Sequence, residues 1–186
     1  MKKILFAAML MFASTSFAQH AIGSLTIQPK VGLNIANITK IDNIDPRWSG
    51  AVGAEFEYQA TDMFSISAGA LYSMQGAKDD GETAKLDYIN VPILANVYVA
   101  KGLAVKLGIQ PGFNVNSKLS GSEGSFSYSS SFDAKTIDFS IPVGISYEYN
   151  NFVVDGRYNF GVTKIIDGFD SKNSVFQITL GYKFEL

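Results

Sequence analysis

Seven ionisable side chains pose the chemical question of this sequence. Lys30, Glu55, Glu57, Lys106, Asp155, Arg157 and Lys183 sit in segments where polar and apolar residues alternate, each on the more polar parity. Carboxylates facing Lys and Arg can form structural ion pairs, line a path for a small ion, or, with serines, build a two-carboxylate hydrolase. Residue types exclude much else. The chain has no cysteine, which removes disulfides, a Cys zinc site, a thiol nucleophile and a lipobox. Its one histidine, His20, lies next to the N-terminal region, so a Ser/His/Asp triad or a two-histidine metal site has no support. The expectation is ion pairing, with no catalytic residue, no metal and no cofactor.

What must position these residues is a set of strands. After Ala18 no window carries a helical period, whereas period-two alternation returns in eight segments, at about 24–36, 48–59, 63–75, 86–99, 103–116, 135–149, 152–164 and 174–186. The last is the cleanest: Phe176, Ile178, Leu180, Tyr182, Phe184 and Leu186 alternate with Val175, Gln177, Thr179, Gly181, Lys183 and Glu185. The links alternate too. "QATD" (59–62), "AKG" (100–102) and "NN" (150–151) read as tight turns, and 37–47, 76–85, 117–134 and 165–173 as long loops. That gathers the tight turns at one end and the long loops at the other, the asymmetry of a transmembrane barrel. The predicted fold is all-β, an eight-stranded antiparallel transmembrane β-barrel with up-and-down meander order.

Two observations orient the barrel. Its less apolar face is small and neutral, with Ser49, Ala51, Gly53, Ser65, Ser67, Gly69, Gly144 and Ser146, which suits a narrow interior. The apolar face sorts its aromatics into two belts, Tyr58, Phe64, Tyr147, Tyr149, Phe152 and Phe184 near the tight turns and Trp48, Tyr72, Phe113, Phe160 and Phe176 near the long loops. Aromatic girdles of this kind mark the two interfaces of a bilayer. Arg157 therefore points inward, since on the lipid face at mid-membrane it would cost about 2–4 kcal/mol. The seven charges then form a mixed network across the lower lumen, with Glu148 and Glu185 lower still. In a barrel this narrow, side chains fill the interior, so the network plugs it; the alternative is a narrow porin-like channel for ions or small solutes. Pro92, Pro111 and Pro142 lie inside strands and each removes a ladder hydrogen bond, which predicts a bulged or widened belt there.

The N-terminus reads as an address. Lys2 and Lys3, the run "ILFAAMLMFA", and small residues Ser16 and Ala18 make residues 1–18 a signal peptide, leaving 19–186 as the barrel domain. In 186 residues, a net charge of −2 with 17% charged residues offers no basic stripe for nucleic acid. The partners expected are outer-membrane lipids and lipopolysaccharide, the barrel being a monomer.

The stretches "LYSMQGAK" (71–78), "LDYINVPILANVYV" (86–99), "DGRYNFGVTKI" (155–165) and "FQITLGYKF" (176–184) resemble those of the PorT-like outer-membrane β-barrel family of Gram-negative bacteria. The resemblance covers nearly all of 22–186. It implies eight strands in the outer membrane and gives a precedent for Pro92; members often lack a known activity. This chain departs from the pattern by ending in Glu185 and Leu186 after Phe184.

Three loop features complete the reading. The acidic loops at 42–45 and 79–82 lack calcium-loop spacing and read as solvated tips. Asn37-Ile38-Thr39 is a chance sequon. In 117–135, Phe126, Tyr128 and Phe132 alternate with serines, as though two strands run on into an exposed ribbon whose edge could meet an extracellular protein or surface partner.

Overall fold

The computed structural model describes residues 20–39, 45–79, 82–123, 126–131, 135–165 and 171–186. The leader expected at 1–18 lies outside the described residues, as do most of the acidic loop at 42–45 and Phe132. Among the described residues the chain forms strands only: β1 (Leu25–Ile38), β2 (Asp45–Thr61), β3 (Phe64–Asp79), β4 (Glu82–Asn90), β5 (Ile93–Ala100), β6 (Leu103–Glu123), β7 (Phe126–Ser131), β8 (Ile137–Tyr149), β9 (Phe152–Gly161), β10 (Asn173–Tyr182) and β11 (Phe184–Glu185). They make eight staves, because β4 continues into β5, β7 into β8 and β10 into β11. Every stave is antiparallel to its neighbours, and β10 pairs with β1 from Lys30↔Gly181 to Ile38↔Asn173, closing the ring.

Turn chemistry fixes one end. Asn150 and Asn151 both adopt positive φ, 47° and 70°, the two-residue hairpin geometry that asparagine tolerates. Gly102, at φ 74°, turns the chain between β5 and β6. Asp62 and Met63 link β2 to β3. The start of β1 and the end of β11 join this end, where Leu186 N–H donates to the Leu25 carbonyl at 2.9 Å.

The opposite end differs from the sequence expectation in two places. The stretch 76–85 is no long loop: β3 and β4 pair up to Asp79↔Glu82. The stretch 117–134, expected as a long loop but also as a ribbon running on from two strands, is strand at 117–123 and 126–131: β6 continues to Glu123 and pairs with β7 from Lys118↔Ser131 to Glu123↔Phe126. Serine and glycine read as loop residues locally, but a strand already paired on both sides propagates the ladder through them. Phe126 and Tyr128 thus stand in β7.

The prolines give a second correction. No bulge forms at them. Register runs unshifted through Pro92, from Asn90↔Gly112 to Ile93↔Ile109, and through Pro111 and Pro142, from Leu107↔Val143 to Gln110↔Ser140. Two residues of a hydrogen-bonded antiparallel pair exchange two bonds, and proline deletes only its own donor. The partner bond survives: Gly69 N–H donates to the Pro92 carbonyl (3.1 Å) and Val91 N–H to the Pro111 carbonyl (2.8 Å). A bulge does occur further along, where Asp87↔Asn116 is followed by Tyr88↔Asn114 and Val115 is the extra residue.

Burial follows parity around the ring. Large apolar side chains face outward, Trp48 at 67% exposure and Leu180 at 53% among them, while Gln28, Asn34, Ser67, Asn96 and Thr179 face inward and are buried. A solvated sheet would reverse that order. No helix of the described residues is long and apolar enough to cross a membrane; strands of this length cross one.

Candidate functional site

The lumen of the ring holds the ionisable residues, and strand parity puts them there. At the centre, Arg157 on β9 donates from Nη2 to Glu55 Oε1 (2.9 Å) and Asp155 Oδ2 (2.9 Å), and from Nε to Asp155 Oδ1 (2.9 Å). Lys30 on β1 reaches the other Glu55 oxygen at 2.8 Å, and Lys106 on β6 reaches Asp155 Oδ2 at 2.9 Å. A second group lies nearer the tight turns. Lys183 bridges Glu57 Oε2 (3.0 Å) and Glu148 Oε2 (2.9 Å), and His20 Nε2 meets Glu148 Oε1 at 2.8 Å. Tyr98 and Ser65 hydroxyls donate to Glu57 Oε1 at 2.5 and 2.7 Å. Four cations, Lys30, Lys106, Arg157 and Lys183, thus face four anions, Glu55, Glu57, Glu148 and Asp155. Glu185 does not join them; it is exposed at the end of β11.

Space for this network comes from glycine. Directly across the ladder, Lys30 faces Gly53 and Gly181, Glu55 faces Gly69, and Gly144 faces both Arg157 and Lys106. A Cβ on Gly144 would stand 2.5 Å from the Gly156 carbonyl oxygen and 2.8 Å from Arg157 Cβ. The long side chains of one stave fill the gap left by the missing side chain of the next. This complementarity is readable in the sequence only after register is known.

Above the ions the lumen changes character. Gln177 Nε2 donates to Asn34 Oδ1 (2.8 Å), and Asn34 Nδ2 donates to Ser73 Oγ (2.9 Å) and the Met74 carbonyl (2.8 Å). Across the barrel, Gln110 Nε2 donates to Ser140 Oγ (3.2 Å), and Asn173 Nδ2 to Asp138 Oδ2 (2.8 Å). Higher again, Ile38, Ala77, Leu86, Tyr88 and Ile165 form a buried apolar cluster. The amides and hydroxyls of this layer did not stand out in the sequence, because such groups are ordinary on any polar face.

On the outer wall Tyr58, Tyr147, Tyr149, Phe152 and Phe184 are exposed towards the tight-turn end, and Trp48, Tyr72, Phe113, Phe160 and Phe176 towards the other. Phe64 is half-buried. Phe56 and Phe139, absent from both expected belts, are also exposed, and Tyr182 packs between Phe152 and Phe184 at centroid distances of 5.0 and 4.8 Å. The arrangement holds no group of three metal-ligating residues among the described residues.

Known structures share this architecture. The attachment invasion locus protein Ail of Yersinia pestis superposes with a TM-score of 0.52 at 17% identity, over 88% of this chain and 100% of that one. Neisserial surface protein A superposes with a TM-score of 0.53 at 14% identity, over 86% and 97%. At these identities the likeness establishes the fold: an eight-stranded outer-membrane barrel. No curated protein matches the sequence. The outer membrane protein beta-barrel domain model matches residues 17–167, and the chain belongs to that family.

Proposed function

We propose that this protein is a monomeric barrel in the outer membrane of a Gram-negative bacterium, exported on residues 1–18, with a plugged lumen and a structural or surface-recognition role carried by its extracellular end. Within the larger family it belongs with the PorT-like barrels. Its lateral partners are outer-membrane lipids and lipopolysaccharide, and the β6–β7 ribbon is the surface offered to an extracellular protein. It is no enzyme on this reading, because each lumen carboxylate of the network already faces a cation.

One observation carries the plug. Lys30, Glu55, Asp155 and Arg157 are 2%, 1%, 0% and 1% exposed. A conducting pore through these groups would leave them in contact with water. Burying so many charges is tolerated because each is paired at hydrogen-bonding distance. Planar-bilayer recording of the refolded chain tests the reading. Silence across the voltage range is the outcome expected; steady unitary steps would establish the narrow channel in its place.

A further inference from the structure

The bulge at Val115 has an electrostatic result on the outer wall. Below it, the even-numbered residues of β6, such as Lys106 and Gln110, face the lumen and are buried. One extra residue reverses the parity, so above it Asn116 and Lys118 share a face with Asp87 and Lys85, which continue the outward row of Ile89. Lys85 and Lys118 are Cα partners. Like charges directly opposite each other destabilise a ladder, and no ion pair among the described residues offsets this one. No carboxylate whose side chain is described lies within ion-pair distance of Lys85, Lys118 or the exposed Lys78. Asp87, the next acid down the row, is engaged elsewhere: it accepts from Tyr72 Oη (3.1 Å) and Asn116 Nδ2 (2.8 Å) and faces Arg47 at 3.8 Å. Asp45 lies across the ladder from Lys78 without an ion pair. Gly76, the partner of Lys85 on β3, leaves that flank bare.

The height of the pair selects its ligand. Ile89 and Phe113 are partners on the lipid-facing wall, and Lys85 lies four residues further along β4. At about 3.3 Å per residue and a tilt near 40°, that is roughly 10 Å above the hydrocarbon belt, at headgroup depth. We propose that Lys85 and Lys118, with Lys78 as their diagonal neighbour, bind a phosphate of a phosphorylated lipid in the outer leaflet. The lipid phosphate bridges two ammonium groups that the fold sets against each other, and its acyl chains lie against the wall below. The inference rests on the membrane orientation proposed above.

The test uses the refolded full chain in phosphatidylcholine nanodiscs containing lipid A with two phosphates or lipid A stripped of both, with bound lipid counted by native mass spectrometry. The wild-type chain retains phosphorylated lipid A over the stripped form by about tenfold or more, and K85Q/K118Q loses that preference. K101Q, at the tight-turn end, keeps it. Equal retention of the two lipids, or an unchanged preference in K85Q/K118Q, overturns the proposal. Displacement of the lipid by millimolar inorganic phosphate would assign the lysines to a bare anion and also overturn it. Protease accessibility of the β6–β7 ribbon in intact cells reports the orientation separately, and heat-modifiable migration reports folding of each variant.

Discussion

In the inner half of the lumen the side chains that meet carry opposite full charges, Lys30 with Glu55 and Lys106 with Asp155. In the outer half they are mostly amides, hydroxyls and hydrocarbons, Gln177 with Asn34, and Leu86 beside Tyr88, with the Asp138 carboxylate held by the Asn173 amide. Both halves are lined by buried side chains, but they fail differently. A buried ion deprived of its partner keeps its desolvation penalty and loses its Coulomb attraction, so the inner half behaves as one coupled unit. A neutral hydrogen bond contributes on the order of 1 kcal/mol net, so the outer half loses stability in small, separable steps.

The largest effect therefore belongs to Arg157. It touches both Glu55 and Asp155, and Arg157→Ala leaves Lys30 and Lys106 to balance two carboxylates that had shared the guanidinium. The expected loss is about 3–5 kcal/mol, from three charge-assisted hydrogen bonds lost at carboxylates that each keep one lysine and from the cavity left behind, read as a shift of the urea unfolding midpoint in lipid vesicles. A loss under about 1 kcal/mol would mean that water or neighbouring ions replace the guanidinium, and the contrast between the halves would disappear.

Gly144→Val sharpens the comparison without removing any charge. The new side chain must enter the space occupied by Arg157 Cβ and the Gly156 carbonyl, and overpacking of this kind costs about 1–3 kcal/mol. Combining it with Arg157→Ala should give somewhat less than the sum of the two losses: alanine keeps the Cβ and the Gly156 carbonyl stays in place, but the volume of the Arg157 stem beyond Cβ becomes free for the valine methyls. Strict additivity in the same urea titrations would show that glycine there serves only the backbone.

The two halves also differ in how far the sequence disclosed them. Alternation in β10, Phe176 to Tyr182 against Val175 to Gly181, is legible because one face meets lipid and the other a filled lumen, so period two persists without interruption. The same alternation puts Lys30, Glu55 and Arg157 on one face. It cannot say that Arg157 meets Glu55, 102 positions away in sequence, because that depends on the tilt and stagger of a closed ring. The upper lumen was opaque for another reason: Asn34, Asp138 and Asn173 are chemically unremarkable until register brings them to their partners. The strand extensions beyond Lys118 were legible only as a serine-aromatic ribbon, and the unshifted register through Pro92 and Pro111 was not legible at all, since proline announces a lost donor but not the surviving reciprocal bond.

The smallest effect comes from the outer half, and it bears most directly on whether the halves are distinct. Gln177→Leu is close in volume and removes the donor to Asn34 Oδ1, yet Asn34 keeps its own bonds to Ser73 and the Met74 carbonyl. One buried carbonyl loses one neutral partner, which costs about 1–2 kcal/mol. The folded barrel should remain silent in bilayer recordings, because the ion network below it is untouched. If Gln177→Leu instead destabilised the barrel as much as Arg157→Ala, the amide layer and the ionic layer would be a single cooperative network. Their separation along the barrel axis would then be a matter of residue type, with no energetic boundary between them.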